Sequence, residues 1–195
     1  DYLVNCRHGN RMSQLIGIYG SSGCGKTRFV EELVRQVTER GFNCRGVCSP
    51  AIFEEGLKTG ITAQLIPGGE NRQLARLAQA GDGQVFGKWH MFPETMTWAL
   101  EYLQTDVYSD LWVIDEIGPY EVEKGLGWAA ILPRLGNLPS KVTLITYRPS
   151  LITYFSRHYP SILAFDLEQA GAAEKATREI EELLSAGEIS QKLAF

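Results

Sequence analysis

The chain has 195 residues, 44% of them apolar and 22% charged, which is about one domain with enough apolar material to bury a core. Nineteen basic against 23 acidic residues leave a net charge of −4, so no overall field draws the protein to nucleic acid or to an anionic membrane. No apolar run approaches the ~20 residues of a membrane span, and the opening "DYLVNCRHGNRM" lacks the basic-then-apolar order of a signal peptide; a cytoplasmic protein is expected.

Residues 1–13 read as a flexible polar tail and 14–195 as one domain; a chain that begins with Asp is expected to be trimmed or to belong to something longer. The first strand is expected over Gln14–Tyr19. It runs into "GSSGCGKT", residues 20–27, which fits G-x-x-x-x-G-K-[ST] without a gap. A strand, a glycine-rich turn and then a helix is the context this phosphate-binding loop requires, because unpaired amides and the dipole at a helix start favour an anion. Gly20, Ser21, Ser22, Gly23, Cys24, Gly25, Lys26, Thr27 and Arg28 are therefore the nucleotide-binding candidates. Lys26 is expected to reach the β- and γ-phosphates, and the Thr27 hydroxyl to ligate Mg²⁺.

Phe29, Val30, Leu33, Val34 and Val37 recur at helical spacing and predict a helix over 26–40, stopped by Gly41. Cys44–Cys48 reads as the second strand, with both thiols on one face. "AIFEEGLKTGITAQLI" reads as a β-hairpin inserted after it, ended by Pro67-Gly-Gly. A short segment at 74–77, a strand over 85–91 and a helix opened by Pro93 and running to about residue 104 follow. "LWVIDEIG", 111–118, is a near-continuous apolar run with acids at its end, as expected of a central parallel strand buried on both faces. A helix over 128–135, a strand over 142–147, a helix near 151–157, a strand over 162–165 and an amphipathic helix over Ala172–Ser185 complete the chain. Alternation of strand and helix predicts an α/β fold, a mainly parallel sheet with helices on both faces.

Asp115 is the natural Walker B carboxylate for Mg²⁺ or its water shell, and Glu116 directly after it is placed to orient or deprotonate a water. Positive charge for the transition state has Arg148 as first candidate, at the carboxyl end of a strand, and Lys58 and Arg72 as second. Trp89, Phe92 and Tyr120 could stack on a base, although core packing accounts for each. Cys6, Cys24, Cys44 and Cys48 follow no zinc or disulfide spacing and read as reduced thiols, with Cys24 set apart by its place in the phosphate loop.

"GIYGSSGCGKT", "GVCSPAIFEEGLKTGI", "GKWHMFPETMTWAL", "VIDEIGPYE" and "TYRPS", in this order, resemble the thermophile-type nucleoside-triphosphatase family, which includes the cancer-related nucleoside triphosphatase. The resemblance spans about residues 14–166. It implies a three-layer, RecA-like P-loop fold, slow Mg²⁺-dependent hydrolysis of ATP, GTP and other nucleoside triphosphates, and a turn containing Gly118 and Glu121. Ala51, Phe53, Lys58, Pro119, Tyr120 and Tyr147 depart from the family pattern, around the expected nucleotide edge. A P-loop nucleotide or small-molecule kinase ranks second, since "ITYRPSLITYFSRHYP" makes a poor arginine lid. An accessory module loading a metal, cofactor or protein partner is the third reading, favoured by "NCRHGN" and by those departures. A GTPase switch lacks its Asn-Lys-x-Asp element, and an ABC-type ATPase its Leu-Ser-Gly-Gly signature.

Overall fold

The computed structural model describes residues 13–186; the amino-terminal segment with Cys6 and His8, read as a tail, lies outside them apart from Ser13. Ser13 itself is buried, its hydroxyl 2.8 Å from those of both Ser140 and Thr143. Among the described residues no helix is long and apolar enough to cross a membrane.

Among the described residues ten strands form one sheet with two characters. Its parallel half is built from β1 (Gln14–Tyr19), β2 (Cys44–Cys48), β8 (Ser109–Ile117), β9 (Ser140–Tyr147) and β10 (Leu163–Asp166), in the spatial order β10-β1-β9-β8-β2. Beyond β2 the sheet continues antiparallel through β4 (Leu57–Ile66), β5 (Asn71–Leu77), β7 (Trp89–Met91) and β6 (Val85–Phe86), with β3 (Ala51–Glu54) paired to β4.

Residues on β8 alternate between two separate cores. Leu111 and Val113 face Val30, Leu33 and Val37 of α1 (Lys26–Glu39) and Ala176, Ile180 and Leu184 of α5 (Ala172–Ser185). Trp112 and Ile114 face Met96, Ala99 and Leu103 of α2 (Pro93–Leu103), a 3-10 run at Ala129–Asn137, and Phe155 of α4 (Ile152–His158). Apolar burial on both faces is why this strand reads as an unbroken hydrophobic run, and it makes the molecule three-layered. Gly46 on β2 lies so close to the Val113 backbone that a Cβ would collide with it, so the β2–β8 pairing requires glycine there.

Four expectations about elements are sharpened or corrected. The helix expected over 128–135 is found at Ala129–Asn137 as a 3-10 run, because Pro133 removes an amide donor and its ring excludes α-helical packing against the preceding turn. The strand expected over 85–91 is two short strands, with Phe86 opposite Trp89 across Gly87 and Lys88. The segment at 74–77 is the end of the seven-residue β5; the hairpin expected after β2 is formed by β3 and β4, and β5, β7 and β6 extend it antiparallel. A four-residue helix, α3 (Pro119–Val122), follows β8 where none was expected.

Candidate active site

The phosphate loop leaves β1 at Tyr19 and enters α1 at Lys26. Gly25 is the cap before that helix and has φ 103°, a left-handed conformation in which a side chain is strained. Lys26 is only 8% exposed, and its ammonium donates to the carbonyls of Gly20 (2.7 Å) and Ser21 (2.8 Å) and lies 3.9 Å from the Cys24 sulfur. The loop is thus drawn around its own lysine. Ser22 and Gly23 are exposed, Thr27 is half-buried in the first turn, and Arg28 is exposed on the helix surface.

A partner that sequence reading missed holds the loop from outside. Ser21 donates through its amide (2.8 Å) and its hydroxyl (2.7 Å) to the two oxygens of Glu168, just after β10. The Ser21 hydroxyl, and after it the amide, hold the Glu168 carboxyl below its ordinary range. No local pattern in "DLEQAG" announces this contact between residues 147 apart in sequence.

Asp115 and Glu116 stand at the carboxyl end of β8, where its pairing with β9 shifts register between Ile114 and Ile117. Such a bulge takes one residue out of the ladder and re-aims its neighbours. Glu116 adopts φ 63°, uncommon for a residue with a side chain. Its amide, released from the ladder, donates to the Thr146 hydroxyl (2.8 Å), which in turn donates to Asp115 Oδ1 (2.6 Å). The other Asp115 oxygen accepts from the Ser49 amide at 3.0 Å, and the Cys48 thiol lies 3.7 Å away. Asp115 is fully buried and pinned at both oxygens. Burial, and then the charge of Asp115, push the Cys48 thiol up, so it is an inert neutral neighbour.

Burial raises the Glu116 carboxyl above its ordinary value, and Asp115 adds to that, while Lys58, Arg148 and Lys26 pull it back down. Lys58 Nζ lies 3.8 Å from Glu116 Oε1. Of the three candidates for positive charge, Arg148 and Lys58 therefore act on Glu116. Arg72 does not: it pairs with Glu70 at 3.2 Å and lies over the Trp98 ring.

Beside Glu116 opens a cavity of about 90 Å³ between β8, α3 and the antiparallel strands. Phe86, Trp89 and Tyr120 form aromatic walls, Ile61, Leu74, Met91 and Met96 an apolar floor, and Glu116, Glu121 and Arg148 the polar groups. Trp89 and Tyr120 are thus at the site, whereas Phe92 packs edge-on against His90. Glu121 is 7% exposed and accepts from the Gly118 amide at 2.9 Å. Burial pushes its carboxyl up to about 7 against the pull of the backbone amides it accepts from. Tyr147 lies in the core, stacked between Tyr19 and Phe155. Cys44 and Cys48 are buried free thiols, and Cys24 is a half-buried one. Among the described residues no three His, Cys, Asp or Glu side chains gather to hold a metal.

The fold has counterparts. A solution structure of a human cancer-related nucleoside triphosphatase superposes with a TM-score of 0.67 at 18% identity, over 87% of this chain and 96% of that one. The crystal structure of THEP1 from Aquifex aeolicus gives 0.62 at 20% identity, over 88% and 99%. Both share the fold. In sequence, nucleoside-triphosphatase THEP1 of Caldivirga maquilingensis is 31% identical over 112 residues, 57% of this chain and 63% of that protein. THEP1 of Thermococcus kodakarensis is 32% identical over 114 residues, 56% and 63%. The matches thus span less than two thirds of these curated relatives. The sequence model of the family described as NTPase matches residues 15–146, from β1 through the phosphate loop and Asp115 to Thr146. With that match over most of its length, the chain belongs to the NTPase family, as the motifs of its sequence led one to expect.

Proposed function

We propose that this protein is a Mg²⁺-dependent nucleoside-triphosphatase that releases the γ-phosphate of ATP, GTP and related triphosphates. The observation that carries the reading is Glu116: a carboxylate set by a bulge at the end of a buried strand, beside Asp115, with Lys26, Lys58 and Arg148 acting on its charge. Phosphoryl transfer is chiefly positioning and charge neutralisation, and these are the groups present.

The loop amides of residues 20–27 would hold the phosphates, with Lys26 turning from its own loop carbonyls to the phosphate oxygens. Glu116 takes the proton of a water as the water oxygen bonds to the γ-phosphorus and the bond from that phosphorus to the β-phosphate oxygen breaks. A base with a raised pKa suits this step near neutral pH. Arg148, which lines the cavity beside Glu116, would meet charge on the γ-phosphate. Thr27 and Asp115 offer hard oxygen donors that fit Mg²⁺, and because both Asp115 oxygens are already engaged, it would hold the ion through water. When bound, the ion supplies further neutralisation of the phosphate oxygens.

Phosphate release from ATP, GTP, CTP and UTP, compared between wild type and Glu116→Gln, tests the proposal. Release from several triphosphates, dependent on Mg²⁺ and lowered ~100-fold or more in the variant with nucleotide binding kept, is the expected result. Unchanged release in Glu116→Gln would remove Glu116 from the mechanism.

A further inference from the structure

Two charged side chains hold the same two residues at the entry to the phosphate loop. The ammonium of Lys26 donates to the carbonyls of Gly20 and Ser21, while the amide and hydroxyl of Ser21 donate to Glu168. When Lys26 turns to a bound triphosphate it leaves both carbonyls. The Ser21 carbonyl keeps a contact of 3.3 Å from the Cys24 amide, and the grip of Glu168 on Ser21 is untouched. A loop with glycine at 20, 23 and 25 has wide backbone freedom unless something outside it restrains it.

We infer that Glu168 is a positioning residue for nucleotide binding: it fixes Ser21, and through Ser21 the entry to the phosphate loop, before and after Lys26 moves. The inference rests on the triphosphatase reading, which supplies the movement of Lys26. Ser21 is thereby an anchor and not a phosphate ligand, since both of its donors are already engaged by a carboxylate.

The geometry of Glu168 suits an anchor. It stands two residues beyond Asp166, which pairs with Tyr19 in the register of β10 against β1. The Leu167 amide donates to the Tyr19 carbonyl at 2.8 Å, and the Glu168 amide to Asp166 Oδ1 at 3.1 Å. The sheet therefore carries the carboxylate to the residue where the loop begins. Each of its oxygens takes a different donor, Oε2 the amide and Oε1 the hydroxyl, so the contact sets orientation as well as distance. Both Glu168 and Ser21 are exposed, so the contact can be removed without opening the core. A carboxylate near a triphosphate could also act in the opposite sense, as a brake by charge repulsion. The sign of the change in affinity separates the two.

Titration with ADP reads the anchor apart from hydrolysis, because ADP has no γ-phosphate to release. The dissociation constant should rise about 10-fold in Glu168→Ala, since freedom given to the loop must be lost again on binding. Glu168→Gln loses the charge but keeps one oxygen that can accept, and should fall between wild type and Glu168→Ala. Ser21→Ala keeps the amide and loses the hydroxyl, so it should weaken binding several-fold in the wild-type chain and add nothing to Glu168→Ala. That lack of additivity is the mark of one residue acting through the other. With ATP and Mg²⁺, KM should rise with the dissociation constant while kcat stays within about twofold, because no reacting group is touched. Unchanged or tighter ADP binding in Glu168→Ala would overturn the anchor, the tighter value identifying a brake. Additive losses in the double variant would overturn the route through Ser21. Weaker ADP binding in the variant, together with no phosphate release from ATP by wild type, would leave the anchor standing and remove the hydrolase. Failure of wild type to bind either nucleotide would overturn both.

Discussion

The parallel and antiparallel halves of the sheet are joined through β2 and β4, yet they are built to different standards. In the parallel half, the central strands β9 and β8 are buried on both faces and their polar groups interlock, as Asp115, Thr146, Ser49 and the Glu116 amide show. In the antiparallel half, the β3–β4 hairpin leaves Phe53 65% and Leu57 70% exposed. The first half holds the groups proposed to react, and the second contributes most of the apolar wall of the cavity and Lys58. The proposed chemistry thus rests on doubly buried strands tied by polar contacts, while what lies beside it is shaped by strands with an exposed tip.

The largest effect should come from the rigid half. Lys26→Ala removes the cation around which the loop is wound, so triphosphate affinity should fall by about 10²-fold and phosphate release should be lost, by calorimetric titration and phosphate assay. Retained turnover would break the division of labour. Thr146→Val keeps the shape of the side chain but removes both the donor to Asp115 and the acceptor for the Glu116 amide. Two polar groups left unpaired in or at the edge of the core should cost about 2–4 kcal/mol in urea unfolding. A cost below about 0.5 kcal/mol would mean that this network does not stiffen the site.

Glu121 sits where the halves meet, and its effect depends on pH. Its carboxyl ordinarily titrates near 4.5 and here near 7, so the native chain holds a proton that the unfolded chain releases between those values. Raising the pH through that window therefore destabilises the native state, and the loss is complete above it. Glu121→Gln, which cannot ionise and can still accept from the Gly118 amide, should gain on wild type as pH rises, by on the order of 2–3 kcal/mol at about pH 8 and little at about pH 4. Urea midpoints at the two pH values measure this. A gain independent of pH would show that the proton is not held. The smallest effect belongs to the open half: Phe53→Ser should change stability by no more than about 0.5 kcal/mol, and a larger loss in the same urea measurement would show that the hairpin tip is packed more firmly than its exposure implies.

The same division decides what could be read from sequence. Strands β1 and β2 and helix α5 begin and end where their residues predicted, since long-range packing there only reinforces strong local patterns. The loop at 20–27 and the acids at 115 and 116 were legible because their chemistry fixes residue type and spacing. The hairpin of β3 and β4 was legible too, but its extension through β5, β7 and β6 was not, because strands as short as the two and three residues of β6 and β7 carry too little alternation to set their pairing. The partners of Asp115 were hidden for another reason: Ser49 and Thr146 reach it only through the registers of β2 and β9 against β8. Lys58 and Arg72 looked equivalent in sequence. One faces Glu116 and the other faces Trp98, a difference set by pairing across the extension.

The bulge at residues 115 and 116 has a use beyond the glutamate it now presents. Since the left-handed backbone and the Thr146 anchor act on the main chain of residue 116, the direction in which its side chain leaves the sheet does not depend on what that side chain is. Position 116 is a socket. Asn, Asp and His tolerate left-handed backbone better than most residues, so each could be seated there and carried to nearly the same place with a different reach and proton affinity, and the chemistry could be exchanged without rebuilding the scaffold.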